Sequence, residues 1–372
     1  MSLNDLLWLG IGLAAVYGVS YALSRSKMIS ERLGLRLEGP IIVLRGSSFT
    51  SHIEKLGRGR ARVFRLFGDL SIAGGVLAGA LGFAFLHINL IQLLQKSPSA
   101  SPVIPLVPGW TIGLDALPFF AFAVLAALFP HELMHALVAA AEGIPVKSAG
   151  AFLAVLFPGG FAELDENELA KRSPRSQARV YAAGSFANLL VFLLVIALAQ
   201  LLVQPLGVKV VGTMAGYPAS GLLQAEDVIV AVDGRQVRTM EDFSSILSSY
   251  RPGDSVRLTV VRRGTALNVS IVLSARPGEP GKPMLGVYVQ QALSSEQLYS
   301  LLWWTAVVSG SVALLNMLPL YPLDGGRLLA LAISSLSSQG KRARAATTVI
   351  STYAALLLLL NVVLSVAPST GP

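Results

Sequence analysis

Long apolar runs separated by short polar ones dominate this chain. Runs at residues 6–24, 70–94, 118–140, 180–203, 301–318 and 348–366 are each near or above the roughly 18 residues that a helix needs to cross a hydrocarbon layer. The pattern predicts about six spans. Between residues 205 and 295 the pattern changes to short alternating strands and turns. Val228–Val232 followed by Asp233-Gly234 reads as a strand and tight turn. Ser255–Arg262, Arg263-Gly264 and residues 268–273 read as a hairpin, and residues 240–249 as a short helix. A third pattern lies at residues 149–161, which contain Phe157-Pro158-Gly159-Gly160-Phe161. It is too short and too rich in Gly and Pro to span, and predicts a re-entrant strand or hairpin. The fold class expected is a polytopic α-helical membrane protein with a short re-entrant β element and an inserted α+β domain.

The organisation that follows has five parts. Residues 1–116 hold the first two spans and a basic segment, and 117–204 a membrane core. Residues 205–295 form the insert, 296–326 complete the core, and 327–372 form a basic loop and last span. Composition agrees: 53% hydrophobic and 13% charged residues are wrong for a soluble protein. The net charge of +8 would suit nucleic acid, but its distribution argues against that partner. Lys and Arg number 10 in residues 25–65, 5 in 147–179 and 4 in 327–344, with none in 97–116 or at the chain ends. The positive-inside bias places these three segments in the cytoplasm and the insert outside it. The segment 25–65 reads either as a solvated linker or as a surface lying on anionic lipid. The first span lacks a basic start and a small-residue cleavage site and is followed by Arg25 and Lys27, which predicts an uncleaved anchor. Gly10, Gly12, Gly75, Gly79 and Gly82 suggest close packing, within or between chains.

Inside the third run stands His131-Glu132-Leu133-Met134-His135. Histidines four apart share a helix face and can reach one Zn²⁺, and the Glu beside the first can take a proton from water. Ionisable groups in a span are costly and usually mark function. A catalytic zinc usually has three protein ligands, so one is missing, and the chain has no Cys to supply it. Asp324 is the natural candidate, in Asn316-Met317-Leu318-Pro319-Leu320-Tyr321-Pro322-Leu323-Asp324-Gly325-Gly326 at the end of the fifth run. The acidic group Glu163, Asp165, Glu166 and Glu168 lacks the ligand rhythm of a hard-cation loop and reads as a solvated face at a helix start.

Two resemblances enter here. Pro218-Ala219, Gly221-Leu222, Asp227-Val228-Ile229, Asp233-Gly234 and Arg251-Pro252-Gly253-Asp254 resemble a PDZ domain of the kind attached to bacterial and archaeal proteases. The match departs at Glu226, where such domains usually have Gly. The resemblance implies a peptide-binding loop at Met284-Leu285-Gly286-Val287, with Gly286 as a substrate contact, or else a domain that acts as a steric filter. With the His motif and the Asn-x-x-Pro…Leu-Asp-Gly motif, the chain from about residue 118 to 326 resembles the site-2 protease family of intramembrane zinc metalloproteases. This implies Zn²⁺ held by His131, His135 and Asp324, Glu132 as the proton acceptor, and Asn316 holding substrate backbone or the developing oxyanion. A family Gly-Pro-x-x-Asn element is met only in part by Gly184-Ser185-Phe186-Ala187-Asn188. Asn188 is a candidate substrate contact, or Gly184 serves helix packing. The implied activity is cleavage of single-span membrane proteins in the bilayer. The alternative is a membrane adaptor whose PDZ domain binds protein tails and whose zinc is structural. A zinc transporter fits least, since the spans outside the motifs carry few ionisable residues.

Overall fold

The computed structural model describes residues 3–26, 34–154, 157–336 and 340–366. In chain order its elements are α1 (Leu3–Arg25), β1 (Leu35–Glu38), β2 (Ile41–Arg45), α2 (Ser47–Gly59), α3 (Ala61–Leu94) and α4 (Leu117–Ala141). There follow β3 (Val146–Ala154), β4 (Phe157–Leu164), α5 (Glu166–Ala170), α6 (Pro174–Leu202), β5 (Pro205–Thr213), β6 (Val228–Val232), β7 (Arg235–Gln236) and α7 (Met240–Ser248). The chain ends with β8 (Ser255–Arg262), β9 (Thr265–Val272), β10 (Ser274–Arg276), β11 (Glu279–Met284), β12 (Val287–Leu293), α8 (Glu296–Asn316), α9 (Asp324–Leu336) and α10 (Gly340–Val366). Contacts divide it into two units: Met1–Ile196 with Leu301–Pro372, and Ala197–Ser300.

In the first unit α3, α4, α6, α8 and α10 are long and apolar enough to cross a membrane, and α1 is a 23-residue helix over the remaining expected span. Helices satisfy every backbone group within one segment, which a bilayer demands. The protein is thus a multi-pass membrane protein. Pro118 sits in the first turn of α4, where its missing N–H costs nothing, while Pro130 removes one helical hydrogen bond directly before His131. The glycines of α3 pack within the chain: Gly75 and Gly79 lie against Met317, and Gly82 against Leu314.

The re-entrant segment is a hairpin of β3 and β4, as expected, but it belongs to a larger sheet. The order is β1-β2-β3-β4, all antiparallel, with Leu44 opposite Ala151 and Gly150 opposite Phe161. The basic segment 25–65 is therefore no linker where it is described. It supplies two strands, reversed at Gly39-Pro40 with Gly39 at φ +61°, and the helix α2. Thr50 and Glu54 of α2 accept hydrogen bonds from the β3 amides of Ala149 and Val146. The second correction concerns residues 327–344, expected as a loop: residues 324–336 form α9.

The second unit is built on a sheet of order β12-β5-β6-β8-β9, with β7 on β6 and a separate β10–β11 ribbon. Val208, Ile229, Leu258, Val260 and Ile271 fill its core. Asp233 and Gly234 turn the chain with φ of 47° and 77°, as that dipeptide favours. Thr239 and Asp242 cap α7 reciprocally.

Candidate metal centre

The helical pitch of α4 brings His131 Nε2 and His135 Nε2 to 3.2 Å. Asp324 Oδ2 lies 3.4 Å from the first and 3.3 Å from the second. The three side chains are 6, 12 and 17% exposed, so the cluster is largely withdrawn from solvent. Among the described residues these three are the group of His and acidic side chains close enough to share one ion. Four ligands at 2.0–2.1 Å around a tetrahedral zinc have edges of about 3.3 Å, which the three separations match.

Asp324 reaches the histidines because α8 stops at Asn316 and α9 starts at Asp324 itself, with residues 317–323 as a tight turn between them. The next two residues permit it: a Cβ on Gly325 would lie 2.2 Å from the Met317 carbonyl oxygen, and one on Gly326 2.3 Å from the Tyr321 nitrogen. Gly184 on α6 does the same from the other side. A Cβ there would stand 2.3 Å from His135 Nε2, so only glycine leaves room beside the ligand atoms.

Neighbouring groups set the rings. His135 Nδ1 is 2.6 Å from the Val180 carbonyl, so it carries the proton and Nε2 keeps its lone pair for an ion. His131 Nδ1 is 3.1 Å from the Asn188 amide nitrogen, and Asn188 Oδ1 is buried without a hydrogen-bond partner among the described residues. Turning that amide by 180° lets Oδ1 accept the Nδ1 proton, the tautomer that an ion on Nε2 requires. The donor set and the orphaned oxygen both fit a bound metal. Asn316 Nδ2 is 3.4 Å from His131 Nε2, so both expected asparagines meet the same ring from opposite nitrogens.

Glu132 points elsewhere: its Oε2 accepts from the Ala162 amide of β4 at 3.2 Å. Two partners of the site escaped the sequence reading, this amide and Ser185, whose hydroxyl donates to Asp324 Oδ2 at 3.1 Å. Ser185 stands where the family pattern has Pro, and that departure was the one signal available. Gly286 belongs to the second unit. It sits between β11 and β12 at φ +77°, packed under Tyr217, with its carbonyl accepting from Met214 N–H. Glu226 occupies φ +72°, which is why glycine is usual there.

The acidic cluster disperses into separate pairs. Asp165 caps α5, Glu163 accepts from Ser148, Glu166 pairs with Arg327 and Glu168 with Lys171. The Glu168 amide holds the Asp165 carboxyl below the ordinary carboxylate value. The remaining histidines, His52 and His87, bond to Ser48 and Phe83 carbonyls, away from the cluster.

A sequence profile of Peptidase family M50 matches residues 119–360. An uncharacterized protein of Methanocaldococcus jannaschii is 30% identical over 80% of this chain and 79% of its own length. A membrane-bound transcription factor site-2 protease homolog of Arabidopsis thaliana is 30% identical over 52% of this chain and 40% of its own. The insert aligns with the PDZ domain of an SdrC-like protein of Listeria monocytogenes, at 26% identity, a TM-score of 0.21, and coverage of 23% of this chain and 87% of that one.

Proposed function

Since the chain belongs to peptidase family M50, the site-2 protease family, we propose that it is an intramembrane zinc metalloprotease, hydrolysing a peptide bond within or near the transmembrane segment of another membrane protein. The observation that carries this reading is the triangle of His131, His135 and Asp324 ligand atoms, 3.2–3.4 Å on a side, with a carboxylate on the residue next to His131. Zn²⁺ held there would supply Lewis acidity toward water and the scissile carbonyl.

The chain's own groups do the rest. Glu132 takes a proton from the attacking water and delivers it to the departing amine. The Asn316 amide, beside His131, donates to the carbonyl oxygen as negative charge develops on it. Val180 and Ser185 hold His135 and Asp324 in place, and Asn188 orients His131 or contacts substrate. A helical substrate hides its peptide bonds, so the scissile segment must be read in extended form. The sheet ending at β4, whose Ala162 amide meets Glu132, offers a strand for that purpose. The PDZ-like insert filters or binds substrate, with Gly286 in its ligand loop. The distribution of basic residues supports a metal site toward the cytoplasmic side and an extracytoplasmic insert.

The test is Glu132→Gln against wild type in detergent, with zinc quantified in both and a panel of single-span peptides as substrate. Zinc should be retained while cleavage falls by about 10²–10⁴-fold. Substantial proteolysis by the metal-loaded variant would overturn the role of Glu132, and a zinc-loaded wild type that cleaves none of the panel would favour the adaptor reading.

A further inference from the structure

The membrane unit's sheet has two unlike ends. At one, the Gly39-Pro40 turn follows Glu38, and the Pro40 carbonyl accepts from the Tyr17 hydroxyl of α1 at 2.6 Å. Tyr17 lies eight residues before the end of α1 at Arg25, about 12 Å along the helix, so this turn meets α1 within its apolar stretch. The other end carries Arg36, Arg45 and Lys147. Lys147 comes just after the end of α4, so these cations lie at the level where spans finish and lipid headgroups begin.

There the strands and α2 enclose a concavity of about 590 Å³, walled by Arg36, Arg45, Lys147, Gly46, Thr50 and Ser51 among others. Its cations are incompletely answered. Arg36 has no ion pair or hydrogen bond among the described residues. Arg45 meets Glu38 at 3.3 Å, yet its Nε is buried with no hydrogen-bond partner among the described residues. Lys147 reaches Asp165 only at 3.5 Å. The one acid in the wall among the described residues, Glu54, is already engaged by the Val146 amide and Arg58. The wall also includes the start of α2, whose N-cap is Gly46 with no side-chain cap. First-turn amides without a side-chain acceptor favour an anion, and guanidinium groups suit phosphate oxygens.

We propose that this concavity is a phosphate-binding site and that its occupant is the headgroup phosphate of an anionic phospholipid. The volume suits a headgroup, the acyl chains have the bilayer beside them, and the cations sit at headgroup level. Basic groups at a membrane surface gain from anionic lipid, and this arrangement adds a shaped pocket to that attraction. The site is separate from the metal cluster and does not depend on hydrolysis.

The test uses the full-length protein in uncharged detergent, with bound lipid counted by native mass spectrometry and thermal stability measured with phosphatidic acid, phosphatidylcholine or inorganic phosphate. Wild type should retain phosphatidic acid at least about tenfold more tightly than phosphatidylcholine. Arg36→Gln with Arg45→Gln should lose that preference. So should Ser51→Glu, which sets a carboxylate at the mouth and leaves every cation in place, and decides the matter if the double variant folds poorly. Lys341→Gln with Arg342→Gln, equal in charge change but outside the concavity, should keep it. An unchanged preference in Ser51→Glu overturns the site. Stabilisation by inorganic phosphate equal to that by phosphatidic acid overturns the lipid as its occupant.

Discussion

Asp324 and Asp227 are both carboxylates withdrawn from water, one in each unit, and their surroundings differ in kind. Asp227 is fully buried and meets Arg262 through two hydrogen bonds of 2.7 Å, with the Gln224 amide as a third donor. Its charge is answered by its own chain. Asp324 meets two imidazoles and the Ser185 hydroxyl, with no Lys or Arg side chain bonded to its carboxylate among the described residues. A buried charge must be paired or bind a metal. The first site is closed, whereas the second is an arrangement of acceptors that a cation completes.

The largest expected effect breaks the open site. Asp324→Asn should abolish stoichiometric zinc, measured by metal analysis of the purified protein, while Asp227→Asn should leave zinc content at wild-type level. Equal metal in both variants would mean Asp324 is not a ligand. Next, Asp227→Ala leaves Arg262 without its carboxylate partner. The insert should be destabilised, read as lower hydrogen-exchange protection confined to residues 205–295. Ser185→Ala keeps Asp324 but removes the donor that orients it, and should weaken zinc affinity about 10–100-fold in a chelator competition.

Smaller effects sharpen the contrast. Glu226 holds a left-handed backbone conformation beside Asp227, so Glu226→Gly should stabilise the insert by about 1 kcal/mol. A loss instead would show that its contact with Lys209 outweighs the strain. Arg262 holds the Asp227 carboxyl below its ordinary value. The stabilisation is thus full above the unfolded value of about 3.9 and is lost as pH falls through the lower folded one. Hydrogen-exchange protection factors of the insert, corrected for the intrinsic rate at each pH, should fall with acidification below about pH 4, less so in Asp227→Asn.

The histidine pair was legible because a spacing of four has one geometric meaning on a helix. Asp324 was legible from chemistry, since a chain without cysteine has few other third ligands to offer. Ser185 and the Ala162 amide were not: a single hydroxyl and a backbone N–H carry no pattern, and only folding decides whom they face. The strands β1 and β2 had left a signal. Leu35-Arg36-Leu37-Glu38 alternates and Gly39-Pro40 reverses it, but each strand is only four or five residues long in a stretch dense in cations. For α9, Asp324-Gly325-Gly326 resembles a helix breaker. Here it starts a helix, because glycines let that helix begin against the backbone of residues 317–321. The departure at Glu226 was visible from the start, yet its meaning required the backbone angle.

The separation of the ligands along the chain has a topological consequence. Asp324 follows His135 by roughly 190 residues, so an ion shared between them would act as a cross-link closing a very long loop. The whole insert is strung on that loop, leaving through α6 and returning through α8. Its length and sequence can therefore diverge between relatives without changing which atoms meet the metal. Under the proposed function, an insert that reads substrate can be exchanged while the ligand set stays the same.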